Sequence, residues 1–282
     1  MNDITICGST AVIKNVSCFE LGQTLDCGQA FRWRENSRGR WCGIAGGKYI
    51  EIYRRGADIV IENTSADDVN GFWRNYFDLD RDYDKIIESF SSNDKLYAAA
   101  KYGSGIRILN QEPWEALCSF IISQNNNIPR IKGIIDRLCE NFGDKTENGF
   151  AFPDSHRLAG LEESDLAVLR CGFRAKYILD AARRVSGGEI DLSALKTADY
   201  AAACDVLMQI KGVGPKVADC ALLYGLSHIE AFPKDVWIKR ALAEYFGGEI
   251  PECAKEYGGI AQQYIFYYAR GTASEKSAET TA

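Results

Sequence analysis

Along the first third of the chain, apolar residues come in short runs broken by turn-forming clusters. Strand-like runs cover 11–16, 31–34, 41–44, 49–54 and 59–61, and between them lie Asn36-Ser37-Arg38-Gly39, Ala45-Gly46-Gly47 and Gly56-Ala57-Asp58. Aromatic and β-branched residues separated in this way predict an antiparallel meander. Helical spacing then takes over. Ser65 is placed to cap a helix carrying Val69, Phe72, Trp73, Tyr76 and Phe77, and Ile86, Ile87 and Phe90 mark another. From about residue 106 onward the pattern is almost wholly helical. Pro113 suits a first helical turn and leads into the apolar run 116–122. Further helices are predicted over 129–142, 164–169, 175–185, 200–209, 215–224, 236–246 and 253–269. After Arg270 the residues are polar and small, which predicts a frayed tail. No repeat of solenoid period occurs. The fold class is α+β: a β-rich N-terminal domain over 1–105, an α-helical body over 106–270 and a disordered tail over 271–282.

Composition narrows this picture. A chain of 282 residues buries roughly three quarters of its unfolded surface and suits two domains without disulfide support. Its 33 Lys+Arg against 39 Asp+Glu leave a net charge of −6, which argues against a general polyanion binder. A nucleic-acid partner would therefore require locally concentrated basic residues. Two such concentrations exist: Arg170, Arg174, Lys176, Arg183 and Arg184 against Asp180, and Arg130, Lys132 and Arg137 against Asp136. The 10 cysteines are scattered, and even Cys18 and Cys27 stand nine positions apart, so no paired ligands for zinc or an iron–sulfur cluster are present. Reduced thiols buried as small apolar groups fit better. With His156 and His228 the only histidines, a His-rich metal centre is excluded and a His-dependent triad disfavoured. The opening MNDITICGST lacks a basic n-region, and no run of about 18 apolar residues occurs, so a soluble intracellular protein is expected.

The most informative stretch runs from Val206 to Cys220. An apolar helix enters Gly212-Val213-Gly214, and a new helix starts at once with Pro215 in its first turn. Glycines there permit positive φ, while the new helix offers unpaired N–H groups and a partial positive charge. A single-phosphate site and an unliganded helix–helix turn both fit this local pattern. Lys216 adds an anomaly, because a lysine in a first turn faces the positive dipole end, which favours the neutral, nucleophilic amine. Asp235, in Pro233-Lys234-Asp235, precedes another helix and reads as an ordinary N-cap or as a functional carboxylate. An amine and a carboxylate at adjacent helix starts make a covalent-catalysis pair.

Here the residues resemble a family. Gly212-Val213-Gly214-Pro215-Lys216-Val217-Ala218-Asp219 followed by Pro233-Lys234-Asp235 is similar to the helix-hairpin-helix (HhH-GPD) DNA glycosylases, and within them to the 8-oxoguanine DNA glycosylase/AP lyases. Gly28-Gln29-Ala30-Phe31-Arg32-Trp33, Ser123-Gln124-Asn125-Asn126-Asn127-Ile128-Pro129-Arg130, and Gln262 with Phe266 extend the resemblance over nearly the whole chain. It implies a TATA-binding-protein-like β-rich domain ahead of the all-α body. It also implies a monomeric enzyme of base excision repair, with no membrane partner, acting on double-stranded DNA that contains oxidised guanine. The compartment would be cytoplasm and nucleoid in a bacterium or nucleus in a eukaryote.

The resemblance also implies roles. Lys216 would attack the sugar C1′, displace the base and leave a Schiff base whose elimination nicks the strand, and Asp235 would stabilise positive charge on the sugar and assist proton transfer. Asn125 would fill the vacated stack, Arg130 and Arg174 would read the orphan cytosine, and Phe173 would act as the wedge where eukaryotic relatives have tyrosine. The carbonyl of Gly28 would accept the N7–H that distinguishes 8-oxoguanine from guanine. Phe266 would stack on the base, with Cys220 against its other face and Gln262 on its Watson–Crick edge; by residue type alone Phe266 and Cys220 are core residues. Gly212, Val213 and Gly214 would hold a DNA phosphate. No cofactor is required and neither zinc nor an iron–sulfur cluster is implied, but carbonyls of Met208, Ile210 and Val213 would hold a structural potassium or sodium. Two departures stand out: Tyr224 where some relatives have methionine, and Trp237 where they have a phosphate-binding histidine. The competing readings are a monofunctional alkylbase glycosylase on the same fold and a noncatalytic helix-hairpin-helix module.

Overall fold

The structure, a computed structural model, describes residues 3–281. Six strands form one antiparallel sheet: β1 (Ile4–Cys7), β2 (Thr10–Ile13), β3 (Arg34–Glu35), β4 (Trp41–Ala45), β5 (Lys48–Arg55) and β6 (Asp58–Glu62), in the spatial order β1-β2-β6-β5-β4-β3. The β4–β5 turn is Gly46-Gly47, both at positive φ, as a two-residue hairpin turn requires. The sequence pattern misses β1, where half-buried Ile4 and Ile6 alternate with exposed Thr5 and Cys7, and places a strand at 31–34 where only Arg34–Glu35 pairs. One face of the sheet buries Ala11, Ile13, Ile50, Ile52, Ile59 and Ile61 against Phe19, Leu25, Trp73, Tyr76 and Phe77. Trp33 closes this core, its indole N–H donating to the Tyr76 hydroxyl at 2.9 Å. Its ring lies so close to Gly43 that a Cβ there would sit 2.5 Å from it.

The rest of the chain is helical. Its main helices are α1 (Tyr83–Ser89), α2 (Asp94–Tyr102), α3 (Pro113–Ser123), α4 (Ile128–Phe142), α5 (Ala175–Ser186), α6 (Tyr200–Leu207), α7 (Pro215–Gly225), α8 (Val236–Tyr245) and α9 (Gly258–Thr281). Three features depart from the sequence pattern. A short hairpin pairs Lys145–Thr146 with Gly149–Phe150. Helices α1 and α2, grouped by sequence with the sheet, contribute Ile86, Ile87, Leu96 and Ala100 to the core of the helical body. Finally, 271–281 continues α9 where a disordered tail is expected, while Ala282 lies outside the described residues. Beyond Gly271 the segment contains Ala and Glu among Ser and Thr and has neither Gly nor Pro, so nothing in it breaks a helix already started.

Helices α3 and α7 form the centre of the body and run antiparallel. A Cβ on Gly225 would come within 2.8 Å of Ala116 and 3.1 Å of Pro113, so glycine lets the two backbones approach. The sheet and the helical body are joined by buried polar bonds. The Gln29 amide donates to the carbonyls of Thr24 and Arg107, its Oε1 accepts from Leu109 N–H, and its own carbonyl accepts from Gln111. Arg32 and Glu115 form an ion pair at 3.4 Å across the same seam, where burial pushes the Glu115 carboxyl up and Arg32 opposes that shift. Fully bonded buried side chains fix a segment in one place. Here they fix Gly28, next to Gln29.

Candidate active site

The hairpin between α6 and α7 is tight. Ile210 N–H donates to Leu207, Val213 N–H donates to Ile210, and Gly212 turns the chain at φ +80° with its Cα against the Tyr177 ring. Helix α7 then opens at Gly214 without a side-chain cap and with Pro215 in its first turn. The hairpin backbone is exposed at Lys211 and Gly212 while Val213 anchors it in the core. An uncapped helix start of this kind presents N–H groups to an anion.

Lys216 stands in that first turn, half-buried, with Nζ 5.3 Å from the centre of the Phe120 ring. Across the cleft Asp235 caps α8, its Oδ1 accepting from Ile238 N–H at 2.8 Å. The ordinary cap role and a functional one therefore coexist in a single carboxylate. Lys216 and Asp235 line three connected hollows. The outer cleft, about 520 Å³, is bordered by Asn125, Asn126, Gly214, Lys234, Trp237 and Lys239. A second hollow, about 380 Å³, reaches Gly28, Phe120, Ile128, Phe266 and Arg270. The innermost, about 40 Å³, is walled by Gly28, Cys220, Tyr224, Gln262, Gln263 and Phe266.

The inner hollow is polar where it matters. Gln262 donates from Nε2 to the Pro233 carbonyl at 3.1 Å, and its buried Oε1 has no partner, an acceptor left open toward the hollow. Tyr224 stacks on Phe120 with ring centres 5.2 Å apart and donates to Gln263 Oε1 at 2.5 Å. Burial pushes the Cys220 thiol up to about 11, against the pull of Lys216 one turn earlier. Gly28, at φ +97°, holds a conformation that favours glycine, and a Cβ there would lie in contact with Ile128 at 3.4 Å and Phe266 at 3.9 Å.

On the opposite rim, Asn125 adopts φ +47° and is exposed. Arg130 is exposed too, and its guanidinium donates to Asn126 Oδ1 and the Arg170 carbonyl. Arg174 does not share this exposure. It is 3% exposed, and its guanidinium donates to the carbonyls of Gln124, Asn125 and Cys171 while lying 4.5 Å from the Phe173 ring centre. As it stands it braces the strained Asn125 loop instead of facing the cleft, because three carbonyls already take its donors. Phe173, 46% exposed, projects from this brace and meets Tyr177 edge-on, linking the rim to the hairpin.

These residues decide what the chain is like. The model described as the N-terminal domain of 8-oxoguanine DNA glycosylase matches residues 11–117, and that of the HhH-GPD superfamily base excision DNA repair proteins matches 118–256. The N-glycosylase/DNA lyase of Saccharomyces cerevisiae is 35% identical over 263 residues, covering 83% of this chain and 69% of that protein. The chain belongs to the HhH-GPD superfamily of base excision DNA repair proteins.

Solved structures extend the likeness. The Clostridium acetobutylicum 8-oxoguanine glycosylase/lyase, in complex with double-stranded DNA containing cytosine opposite 8-oxoguanine, superposes with a TM-score of 0.89 at 37% identity, covering 97% of this chain and 98% of its own. The structure of MBOgg1 in complex with a low-affinity DNA ligand reaches a TM-score of 0.91 at 39% identity, covering 97% of this chain and 99% of its own. The antiparallel sheet followed by a helical body is the architecture of this superfamily branch. Among the described residues, no helix is long and apolar enough to cross a membrane. Sequence reasoning overlooked Phe120, Gln263, Lys234 and Lys239 as parts of the site. Phe120 hides in the apolar run of α3, and the lysines carry no signal beyond charge until the start of α8 lies across the cleft from the start of α7.

Proposed function

We propose that this protein is a bifunctional DNA glycosylase/β-lyase that excises 8-oxoguanine opposite cytosine from duplex DNA in base excision repair. The convergence of Lys216 and Asp235 on one cleft that continues into the Gly28–Cys220–Gln262–Phe266 hollow carries this reading. An extruded nucleotide would place its sugar between amine and carboxylate and its base in the hollow. Lys216 Nζ forms the bond to C1′ as the glycosidic bond breaks and the base leaves with its electron pair. Asp235 balances the positive charge developing on the sugar and takes up the amine proton. Ring opening gives the Schiff base, and loss of a C2′ proton with departure of the 3′-phosphate completes β-elimination. The Gly28 carbonyl accepts the N7–H of the lesion, Gln262 meets the Watson–Crick edge, and Phe266 and Cys220 enclose the ring. Asn125 fills the gap, Phe173 wedges the duplex, and Arg130 reads the orphan cytosine.

The turn of Gly212, Val213 and Gly214, exposed at Gly212 and anchored in the core at Val213, holds one DNA phosphate at the uncapped start of α7. Met208 caps the C-terminal, partially negative end of α6, and the carbonyls of Met208, Ile210 and Val213 would, as hard oxygen donors, suit a potassium or sodium ion that stiffens the turn. Such an enzyme works beside the genome, in cytoplasm and nucleoid or in a nucleus. Borohydride trapping on a duplex with 8-oxoguanine opposite cytosine tests the reading. Wild type should give a covalent adduct that Lys216→Gln abolishes; no adduct from wild type would overturn it.

A further inference from the structure

Beside Gln262 stands a second amide that the mechanism above does not use. Gln263 is 2% exposed and walls the innermost hollow together with Gln262 and Phe266. It lies three residues before Phe266 on α9, a spacing that puts both on one helix face. Its Oε1 accepts from the Tyr224 hydroxyl at 2.5 Å, and its buried Nε2 has no partner. Burial pushes Tyr224 well above the usual phenol range, so the hydroxyl keeps its proton and donates it. That bond holds Oε1 on the tyrosine and leaves Nε2, the donor end of the amide, uncommitted. Among the described residues six buried side-chain atoms lack a partner, and two of them, Gln262 Oε1 and Gln263 Nε2, belong to the walls of this one hollow. Unpaired buried polar groups are rare and costly, so an open acceptor and an open donor at one hollow match a ligand edge that carries both functions.

We propose that Gln263, oriented by Tyr224, is a specificity-determining residue that donates from Nε2 to the O6 of the lesion base; this rests on the 8-oxoguanine reading above and deepens it. Around the purine perimeter O6 lies between N1–H and N7–H. Those are the two groups that Gln262 Oε1 and the Gly28 carbonyl accept in that reading, so a base held by both presents O6 to the wall between them. The other polar side chains of the innermost hollow are already assigned. Lys216 and Asp235 act at the sugar, Cys220 covers a ring face, and the Tyr224 hydroxyl is taken. Gln263 Nε2 is the donor that remains. An acceptor for N1–H beside a donor for O6 fits a 6-oxopurine and opposes a 6-aminopurine, whose N1 is an acceptor and whose N6 is a donor. The division of labour is then plain. Gly28 separates an oxidised purine from a normal one, but 8-oxoadenine carries the same N7–H, and the two adjacent glutamines exclude it.

The test compares single-turnover release of 8-oxohypoxanthine and 8-oxoadenine, each placed opposite cytosine. Both bases carry N7–H and neither has a 2-amino group, so they differ only at position 6 and in the proton on N1. Wild type should favour 8-oxohypoxanthine. Gln263→Met, which keeps the length of the side chain without its amide, should reduce that preference about tenfold, the scale of one buried hydrogen bond, and Gln263→Ala should do the same. Tyr224→Phe keeps the ring but frees the amide to turn, so it should lose part of the same preference. Because each variant is compared with itself on two bases, any loss of folded protein cancels in the ratio. A merely structural Gln263 would lower both rates equally. A preference unchanged in both Gln263 variants therefore overturns the proposal, while wild-type release of 8-oxoguanine keeps the lesion reading intact. No release of 8-oxoguanine by wild type would remove the lesion reading itself.

Discussion

Gln262 shows how one side chain divides its work. Its Nε2 is tied to Pro233, and its Oε1 is a buried acceptor with no partner, a cost the fold tolerates at a site that a ligand completes. Gln262→Ala should therefore weaken binding to an 8-oxoguanine duplex by about tenfold, the scale of one buried hydrogen bond, and leave affinity for an abasic-site duplex nearly unchanged. Equal losses on the two duplexes, measured by fluorescence anisotropy, would remove its base-reading role. Cys220 and Tyr224 show the complementary case. The Cys220 thiol, pushed up to about 11, stays neutral near pH 7 and packs as a small apolar wall. The hydroxyl of Tyr224 is taken by Gln263, so it contributes its ring face to the hollow.

At the scale of elements, the hairpin between α6 and α7 couples backbone geometry to function. Gly212 needs its left-handed conformation, and a Cβ there would strike the Tyr177 ring at 2.5 Å. Gly214 has φ −106° and open space around it. Gly212→Ala should cost about 1–2 kcal/mol in urea unfolding and reduce affinity for undamaged and damaged duplex alike, whereas Gly214→Ala, which loses only an N-cap preference, should cost about 0.5 kcal/mol. Similar losses for both would show that the turn is not under this constraint. The Asn125 loop follows the same logic from the other rim, since a residue at φ +47° is held by three-carbonyl bracing from Arg174.

Across the whole molecule, folding redistributes the basic residues. Arg183 pairs with Glu162, Arg184 with Asp180 and Glu189, Lys132 with Asp26, and Arg137 donates to the Leu169 carbonyl. Three of the eight basic residues in the two stretches, Lys132, Arg183 and Arg184, are thus paired with carboxylates. Among the described residues Arg130, Arg170, Lys176, Lys211, Lys234 and Lys239 have no carboxylate partner and are carried by the hairpin, the rim and the cleft. About five or six phosphate contacts predict a slope of roughly −5 in log affinity against log salt on duplex DNA. A slope equivalent to ten or more phosphates would contradict this distribution.

Periodicity and turn chemistry determined the meander, the order of the helices and the Gly212–Asp219 hairpin, because these depend on residues near one another in the chain. The family's residues likewise mark Lys216 and Asp235 in the sequence itself. Only the tertiary structure decided what surrounds them. Phe120 lies under the amine because α3 packs antiparallel to α7, Gly28 reaches the hollow because buried Gln29 bonds hold its segment, and Tyr200 meets Asp219 because the hairpin folds α6 back on α7. Arg174, a cytosine reader by resemblance, became a loop brace once the carbonyls of Gln124, Asn125 and Cys171 were brought within reach. Each of these outcomes depends on partners distant in sequence, whose proximity and charge pairing exist only after the core has closed.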